Sequence, residues 1–127
     1  MTEQDLAGKS PQELICLLYA RVCRDLDDAR ILFDLLGDPR SQADAIHLIV
    51  HAQQIISELN RCVNQDKGGD LAVNLSRVYE YIQYRLTEAV QKRDVGPVHE
   101  VLGLVAELHQ AWKTMLELPV KNSSVQA

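Results

Sequence analysis

The feature that most constrains the fold of this chain is a pair of long amphipathic segments separated by only a few residues. Apolar residues recur at helical spacing on both sides of a short polar breaker, residues 65–70, with the sequence QDKGGD. The paired glycine allows a positive φ at the end of one helix, and Asp70 can accept hydrogen bonds from the free amides of the next. These segments therefore predict two antiparallel helices joined by a tight turn.

The start of the chain predicts another helix, from Pro11 to about Leu36. Ser10 is a suitable N-cap, Pro11 occupies the first helical position, and Glu13 can complete a capping box. Gly37 follows as a stop signal, with a proline beyond it. The apolar positions of this segment recur at helical spacing and are Leu14, Ile15, Leu18, Val22, Leu26, Ala29, Phe33 and Leu36.

The second predicted helix begins after Ser41, which forms a weaker capping pair with Asp44, and it shows the clearest separation of apolar and polar faces. Its expected core residues are Ala45, Leu48, Ile49, Ala52, Ile55, Ile56, Leu59, Cys62 and Val63. The opposite face is wholly polar and consists of Asp44, His47, His51, Gln54, Glu58, Arg61 and Gln65.

The third helix is expected from Leu71 to about Lys92, and a fourth follows Pro97 and ends near Leu118 and Pro119. The third should bury Leu71, Leu75, Val78, Tyr79, Ile82, Leu86 and Ala89, and the fourth Val98, Val101, Val105, Leu108, Trp112 and Met115. Four such helices with short connections predict an all-α fold, an antiparallel four-helix bundle. We expect one domain, residues 1–127, with flexible tails at 1–9 and 119–127. The alternative of a short extra helix before Ser10 is left open.

Charge and cysteine content exclude several classes of protein. The formal net charge is -5 and the basic residues are scattered, which argues against a nucleic-acid or anionic-membrane partner. The three cysteines form no CxxC pair, and their odd number argues against a structural disulfide set. The polar, acidic start and the lack of a long apolar run predict no signal peptide and no membrane insertion. We therefore expect a cytoplasmic protein.

The sequence offers little support for an enzyme or a cofactor. It contains no Gly-rich phosphate loop and no ordered nucleophile, histidine and acid with local support. Asp44, His47 and His51 share one helical face with the spacing of metal ligands, but that face is the solvated one. We predict no catalytic residues, no metal site and no cofactor.

The helices carry more apolar residues than one core stripe each requires. The additional residues are Cys16, Leu17, Tyr19, Ile46, Val50, Ala72, Val73, Val90, Leu102, Leu104 and Leu118. A wide apolar surface is typical of a site that binds a partner helix, although bundle helices also bury wide faces. Tyr81 and Tyr84 fall toward the polar side of the third helix, where they could anchor a partner or lie along the surface.

Several short motifs of the sequence, in their order and spacing, resemble those of the FliS-type flagellin export chaperones. The central ones are Ala52-Gln53-Gln54-Ile55-Ile56-Ser57-Glu58-Leu59, Asp66-Lys67-Gly68-Gly69, Asn74-Leu75 and Tyr79-Glu80-Tyr81. The matched region runs from Ser10 to about Met115. Motifs similar to those at the start of the family are Ser10-Pro11-Gln12-Glu13-Leu14-Ile15 and Leu18-Tyr19, and motifs similar to those at its end are Leu102-Gly103-Leu104 and Ala111-Trp112. The helical bundle of that family agrees with the fold predicted from periodicity.

The resemblance implies a cytoplasmic chaperone that binds the C-terminal segment of flagellin, prevents its premature polymerisation and supports its delivery to the flagellar type III export apparatus. It also implies flagellin contacts within the matched motifs, and the expected residues are Ile49, Ile56, Leu59, Leu75, Tyr79, Tyr81 and Leu86. Export apparatus components are further expected partners, and the chain itself is expected to be a monomer or a weak homodimer.

One departure from the family concerns the N-terminal arm. Only residues 1–9 precede the first predicted helix, and they contain no tyrosine, whereas the family's arm is longer and carries one. We therefore expect that the arm does not cover the binding groove by itself. The alternative function is a structural or regulatory four-helix module that self-associates through the same apolar excess and has no export cargo.

Overall fold

The computed structural model describes residues 11–34, 38–65 and 69–117, and these residues form four α-helices. They are α1 (Pro11–Phe33), α2 (Pro39–Gln65), α3 (Gly69–Lys92) and α4 (Gly96–Glu117). The described ranges contain no β-strand, so the predicted all-α fold is confirmed. The predictions for the two tails, for an extra helix before Ser10, and for Leu36, Gly37, Leu118 and Pro119 lie outside the described residues.

The four helices pack as a bundle in which each helix has two principal neighbours. Helix α1 packs against α2 and α4, and α3 packs against the same two helices from the other side. Connections of only a few residues require successive helices to run in opposite directions. The molecule is therefore the predicted antiparallel four-helix bundle.

Helix α2 begins earlier than the sequence analysis predicted. Its first residue is Pro39, and Asp38 provides the cap: its carboxylate accepts hydrogen bonds from the Arg40 amide at 3.0 Å and the Ser41 hydroxyl at 2.9 Å. Ser41 is thus a buried residue of the first turn and not the cap. The physical reason is that an Asp followed by Pro places a side-chain acceptor before a residue whose φ already suits a helix.

The remaining helix ends are also set by local chemistry. Helix α3 starts at Gly69, two residues before the predicted Leu71, and Gly69 has a φ of 64°. Helix α1 ends at Phe33, and Asp34 follows it in a turn. Helix α4 starts at Gly96, whose amide donates to the Asp94 carboxylate at 2.9 Å. The Asp94 side chain therefore satisfies a free amide at the start of α4.

The core contains most of the residues that periodicity assigned to it. Its buried members are Tyr19, Val22, Leu26, Ala29, Phe33, Ala45, Ile49, Ala52, Ile55, Ile56, Leu59, Tyr79, Ile82, Leu86, Ala89, Val98, Val101 and Val105. Ile15, Leu18, Leu48, Leu75, Val78, Leu108 and Trp112 are partly buried against this cluster. The predicted positions of the Val63, Leu71 and Met115 side chains lie outside the described part of the chain.

Two residues at the edge of the core show where periodicity reaches its limit. Tyr19, one of the additional apolar residues for which both core and surface stayed open, is fully buried, whereas the prediction of Cys62 in the core was wrong because Cys62 is exposed. A tyrosine can be buried when its hydroxyl has hydrogen-bond partners. Cys62 lies in the last turn of α2, which ends at Gln65. All three cysteines are free, and burial raises the pKa of the Cys16 and Cys23 thiols.

Candidate partner-binding surface

A cleft lies on the outside of α2, beside the C-terminal end of α3. Pro39, Ala43, Ile46 and Val50 lie four, three and four residues apart, so they form one stripe along α2. Gln42, His47 and Arg93 complete the lining, and the cavity has a volume of about 570 Å³. Val50 is 41% exposed, and the cleft therefore offers an apolar floor with a polar and cationic rim.

The cleft ends where polar side chains join α2 to α3. Gln83 Nε2 donates to the Gln53 carbonyl oxygen at 2.8 Å and to the Ser57 hydroxyl at 3.0 Å, and Gln53 Nε2 donates to the Thr87 hydroxyl at 3.1 Å. Nearer the turn between the helices, the Ser76 hydroxyl donates to Asn60 Oδ1 at 2.8 Å. These bonds hold the two helices together along one half of their length, while the other half carries the open cleft.

A network of charged side chains fixes the opposite edge of α3 against α4. Glu100 accepts hydrogen bonds from the Tyr81 hydroxyl and from Arg85 Nε, each at 2.6 Å, and Arg85 also pairs with Glu88. The hydrogen bond to Glu100 raises the pKa of Tyr81, and the same bond, with that from Arg85, lowers the pKa of Glu100. Tyr81 is therefore held in one orientation although 43% of its surface is exposed.

The outer face of α3 carries two further exposed apolar side chains. Val73 is 50% exposed and Tyr84 is 62% exposed, and their separation of eleven residues places them on the same face, about three turns apart. An exposed tyrosine is the kind of residue that anchors a protein partner, and Val73 adds apolar area on the same face. The sequence analysis named Val73 and Tyr84 among its additional apolar and aromatic positions, and the structure places both at the surface.

The residues predicted to contact flagellin are distributed between interior and surface. Ile49, Ile56, Leu59, Tyr79 and Leu86 are buried in the core, Leu75 is partly buried against it, and Tyr81 is exposed. The structure does not bring these seven together on one surface, because the five buried members contact other helices of the bundle. Their contact with flagellin stays a prediction.

The interior contains a polar aromatic cluster that joins three helices. The hydroxyl groups of Tyr19 and Tyr79 form a hydrogen bond across the core between α1 and α3, and Trp112 Nε1 donates to the Tyr19 hydroxyl at 3.2 Å. The rings of His109 and Trp112 lie 6.5 and 6.4 Å from the Tyr19 ring. Burial raises the pKa of both tyrosines, so both hydroxyls remain protonated at neutral pH.

A second polar contact, unforeseen from the sequence, joins α1 to α2. Asp25 is 2% exposed, and its carboxylate lies 2.5 Å from His51 Nδ1 and accepts a hydrogen bond from Arg21 Nε at 3.3 Å. His51 belongs to the trio of possible metal ligands with Asp44 and His47. Within the described ranges, no group of three or more His, Cys, Asp or Glu side chains could hold a metal ion.

Part of the cleft could be anticipated from the sequence and part could not. Ile46 and Val50 were among the additional apolar residues, but Pro39, Ala43 and Arg93 were not singled out as residues of a binding surface. The available signal for Arg93 was the end of the third helix, where the chain turns after Lys92 without a glycine. Nothing in periodicity alone shows that this arginine lies beside α2.

A helical bundle with an apolar cleft and exposed aromatic side chains is the architecture of a protein-binding module. The family described as "Flagellar protein FliS" matches residues 1–119. The chain belongs to this family, which is one of flagellar chaperones and not of enzymes.

Individual relatives agree with this assignment. The chain is 32% identical over 111 residues to the flagellar secretion chaperone FliS of Salmonella typhimurium, an alignment that covers 87% of this chain and 80% of the relative. It is 33% identical over 110 residues to the flagellar secretion chaperone FliSB of Pseudomonas aeruginosa, covering 87% and 84%. The FliS of Vibrio cholerae is also 33% identical over 110 residues, covering 87% and 78%. In the described part of the chain, no helix combines the length and apolar character needed to cross a membrane.

Proposed function

We propose that this protein is a cytoplasmic export chaperone that binds the C-terminal segment of flagellin. It prevents premature polymerisation of flagellin and supports its delivery to the flagellar type III export apparatus. Family membership supports the role of a flagellar export chaperone. The identity of the cargo and of its bound segment is our proposal, together with contacts to export apparatus components and a monomeric or weakly dimeric state.

The observation that carries the proposal is the apolar cleft of α2 beside the end of α3. Its floor presents Ala43, Ile46 and Val50 along one stripe, which is the arrangement that accepts the apolar face of a partner helix. A segment that forms helices only in the assembled filament exposes such a face while it is soluble. The cleft can cover that face without forming or breaking a covalent bond, so binding is stoichiometric and reversible.

The exposed side chains of α3 extend this surface. Tyr81 is held by Glu100, and an aromatic ring that is already ordered loses little conformational freedom when a partner binds it. Val73 and Tyr84 add apolar area on the outer face of the same helix. An extended cargo segment could therefore contact α2 and α3 in succession, through many modest contacts. Leu75 and Tyr81 are the two predicted contact residues that such a segment can reach without opening the core.

The test is a calorimetric titration of the protein with a peptide covering the C-terminal segment of its own organism's flagellin. Val50→Asp places a charge on the cleft floor and is expected to lower the affinity about tenfold or more, equivalent to about 1.4 kcal/mol. The matched control is Ile31→Asp on α1, because Ile31 is 48% exposed and lies outside the cleft. The control is expected to bind like the wild type, and both variants should keep the helical circular dichroism spectrum.

Two results would contradict parts of this proposal. Equal affinity of Val50→Asp and the wild type would remove the cleft from the binding site. A wild-type protein that is folded and binds no flagellin peptide would contradict the cargo assignment itself. Sedimentation at increasing protein concentration then becomes informative, because concentration-dependent dimerisation would favour the self-associating module instead.

A further inference from the structure

Arg93 has a backbone conformation that side-chain-bearing residues rarely adopt. Its φ is 50°, and among the described residues it is the only non-glycine residue with a positive φ. The Asp94 amide donates to the Ala89 carbonyl oxygen at 3.1 Å, which is the bond that closes a helix when the residue between helix and turn is left-handed. Glycine is the residue preferred at that position. An arginine there is unfavourable for the fold, and such positions often have a functional reason.

The side chain of Arg93 lines the apolar cleft. It is exposed, and the structure shows no hydrogen bond or ion pair for its guanidinium within the described residues. This differs from Arg85, which lies eight residues earlier in the sequence and pairs with both Glu88 and Glu100. The neighbouring Asp94 carboxylate accepts the Gly96 amide. The guanidinium of Arg93 therefore remains available to a ligand in the cleft.

The charges around the cleft favour an anionic ligand group. Arg93 lies in the lining, and Arg40 is exposed in the first turn of α2, three residues before Ala43. The acidic residues next to this lining in the sequence are Asp38, Asp44 and Asp94; all three are exposed, and none of them lines the cleft. The chain has a net charge of -5, so the positive charge at the rim of the cleft is opposite in sign to the charge of the whole molecule.

We propose that Arg93 binds the carboxylate of an Asp or Glu side chain in the cargo segment, while apolar side chains of that segment fill the floor formed by Ala43, Ile46 and Val50. This inference rests on the proposed function and adds to it the chemistry of the bound segment. Two guanidinium N–H groups can donate to the two carboxylate oxygens, a geometry that a lysine does not reproduce. The cleft thereby selects an amphipathic segment with an acidic residue beside its apolar face.

The experiment compares Arg93→Gly and Arg93→Lys with the wild type in the same flagellin peptide titration. Arg93→Gly removes the guanidinium and suits the left-handed backbone, so it should keep or raise the melting temperature while lowering the affinity about three- to tenfold. Arg93→Lys should lose less affinity. The control is Arg24→Ala, because Arg24 is an exposed arginine of α1 that does not line the cleft, and it should bind like the wild type.

Peptide variants identify the bound group. Replacing the acidic residues of the peptide one at a time with Asn or Gln should weaken wild-type binding at one position, and the same replacement should have no effect on Arg93→Gly. The difference between wild type and Arg93→Gly should also shrink between about 0.01 M and about 1 M salt, because the Debye length falls from about 30 Å to about 3 Å.

Each remaining outcome overturns the inference. If Arg93→Gly binds like a wild type that does bind flagellin, the carboxylate contact is wrong and the proposed function stands. If amidation of the peptide C-terminus, and no side-chain replacement, removes the effect of Arg93, the ligand is a chain end and the proposal of an Asp or Glu side chain is wrong. If the wild-type protein binds no flagellin peptide, this inference fails together with the proposed function.

Discussion

Tyr19 is the residue through which polar groups of three helices meet inside the core. Its hydroxyl contacts the hydroxyl of Tyr79 on α3 and accepts a hydrogen bond from Trp112 on α4. Both tyrosines are at most 1% exposed, so neither hydroxyl can exchange its partner for water without opening the bundle. The pair also joins α1 to α3, two helices that are not principal neighbours in the bundle.

This arrangement predicts unequal effects of removing the two hydroxyl groups. Tyr79→Phe removes one hydrogen bond while Tyr19 keeps Trp112, so the free energy of unfolding should fall by about 1 kcal/mol. Tyr19→Phe leaves the Tyr79 hydroxyl and the Trp112 indole N–H without a partner, and the loss should be about 2 kcal/mol or more. Urea unfolding of the two variants measures both values. Equal losses would show that Tyr19 is not the shared partner.

At the scale of single elements, the start of α2 depends on a carboxylate outside the helix. The Asp38 carboxylate accepts hydrogen bonds from the Arg40 amide and the Ser41 hydroxyl. Both bonds lower the pKa of Asp38, and the bond from Ser41 has the larger effect. Because the folded pKa is below the unfolded one, the contribution to stability is present above the ordinary aspartate pKa of about 3.9. It is lost as the pH falls through the lower folded pKa.

Asp38→Ala is therefore expected to lower the melting temperature by about 4 °C at neutral pH. The control is Asp44→Ala on the same helix, whose exposed carboxylate caps nothing and whose removal should change the melting temperature little. Thermal unfolding followed by circular dichroism at neutral pH and near pH 3 measures both variants. The difference between wild type and Asp38→Ala should shrink at the acidic pH, and a constant difference would contradict the role of the ionised cap.

At the scale of the whole molecule, one core connects all four helices. Buried residues from each helix belong to a single cluster, and Trp112 of α4 packs against it near the tyrosine pair. A domain of this size with one core usually unfolds in one cooperative step. The chain contains a single tryptophan, which makes its fluorescence a probe of one defined place in the bundle.

We therefore expect Trp112 fluorescence and far-UV circular dichroism to report the same unfolding midpoint. The first probe follows the packing of α4 against Tyr19, and the second follows helix content throughout the molecule. Urea titrations with both probes on one sample provide the measurement. A fluorescence transition at lower urea would show that the end of α4 separates from the bundle before the other helices unfold.

Periodicity in the sequence determined the number of helices, their approximate bounds and most of the core. This is possible because the spacing of apolar residues along a helix shows which of its faces avoids water. The sequence also identified the family, because the order and spacing of its motifs can be compared without any knowledge of contacts. Asp38 and Pro39 contained the information for the start of α2, but Pro39 was interpreted as a stop for the preceding helix.

Only the tertiary structure decided which flanking residues are covered. Tyr79 and Tyr81 are two residues apart in one matched motif, yet Tyr79 is 1% exposed and Tyr81 is 43% exposed. The hydroxyl of Tyr79 contacts Tyr19 of α1 inside the core, whereas the hydroxyl of Tyr81 contacts Glu100 of α4 at the surface. The cleft likewise required α2 and the end of α3 to be placed side by side. Spacing along one helix fixes the direction of each side chain, whereas exposure depends on the neighbouring helices, which lie far away in the sequence.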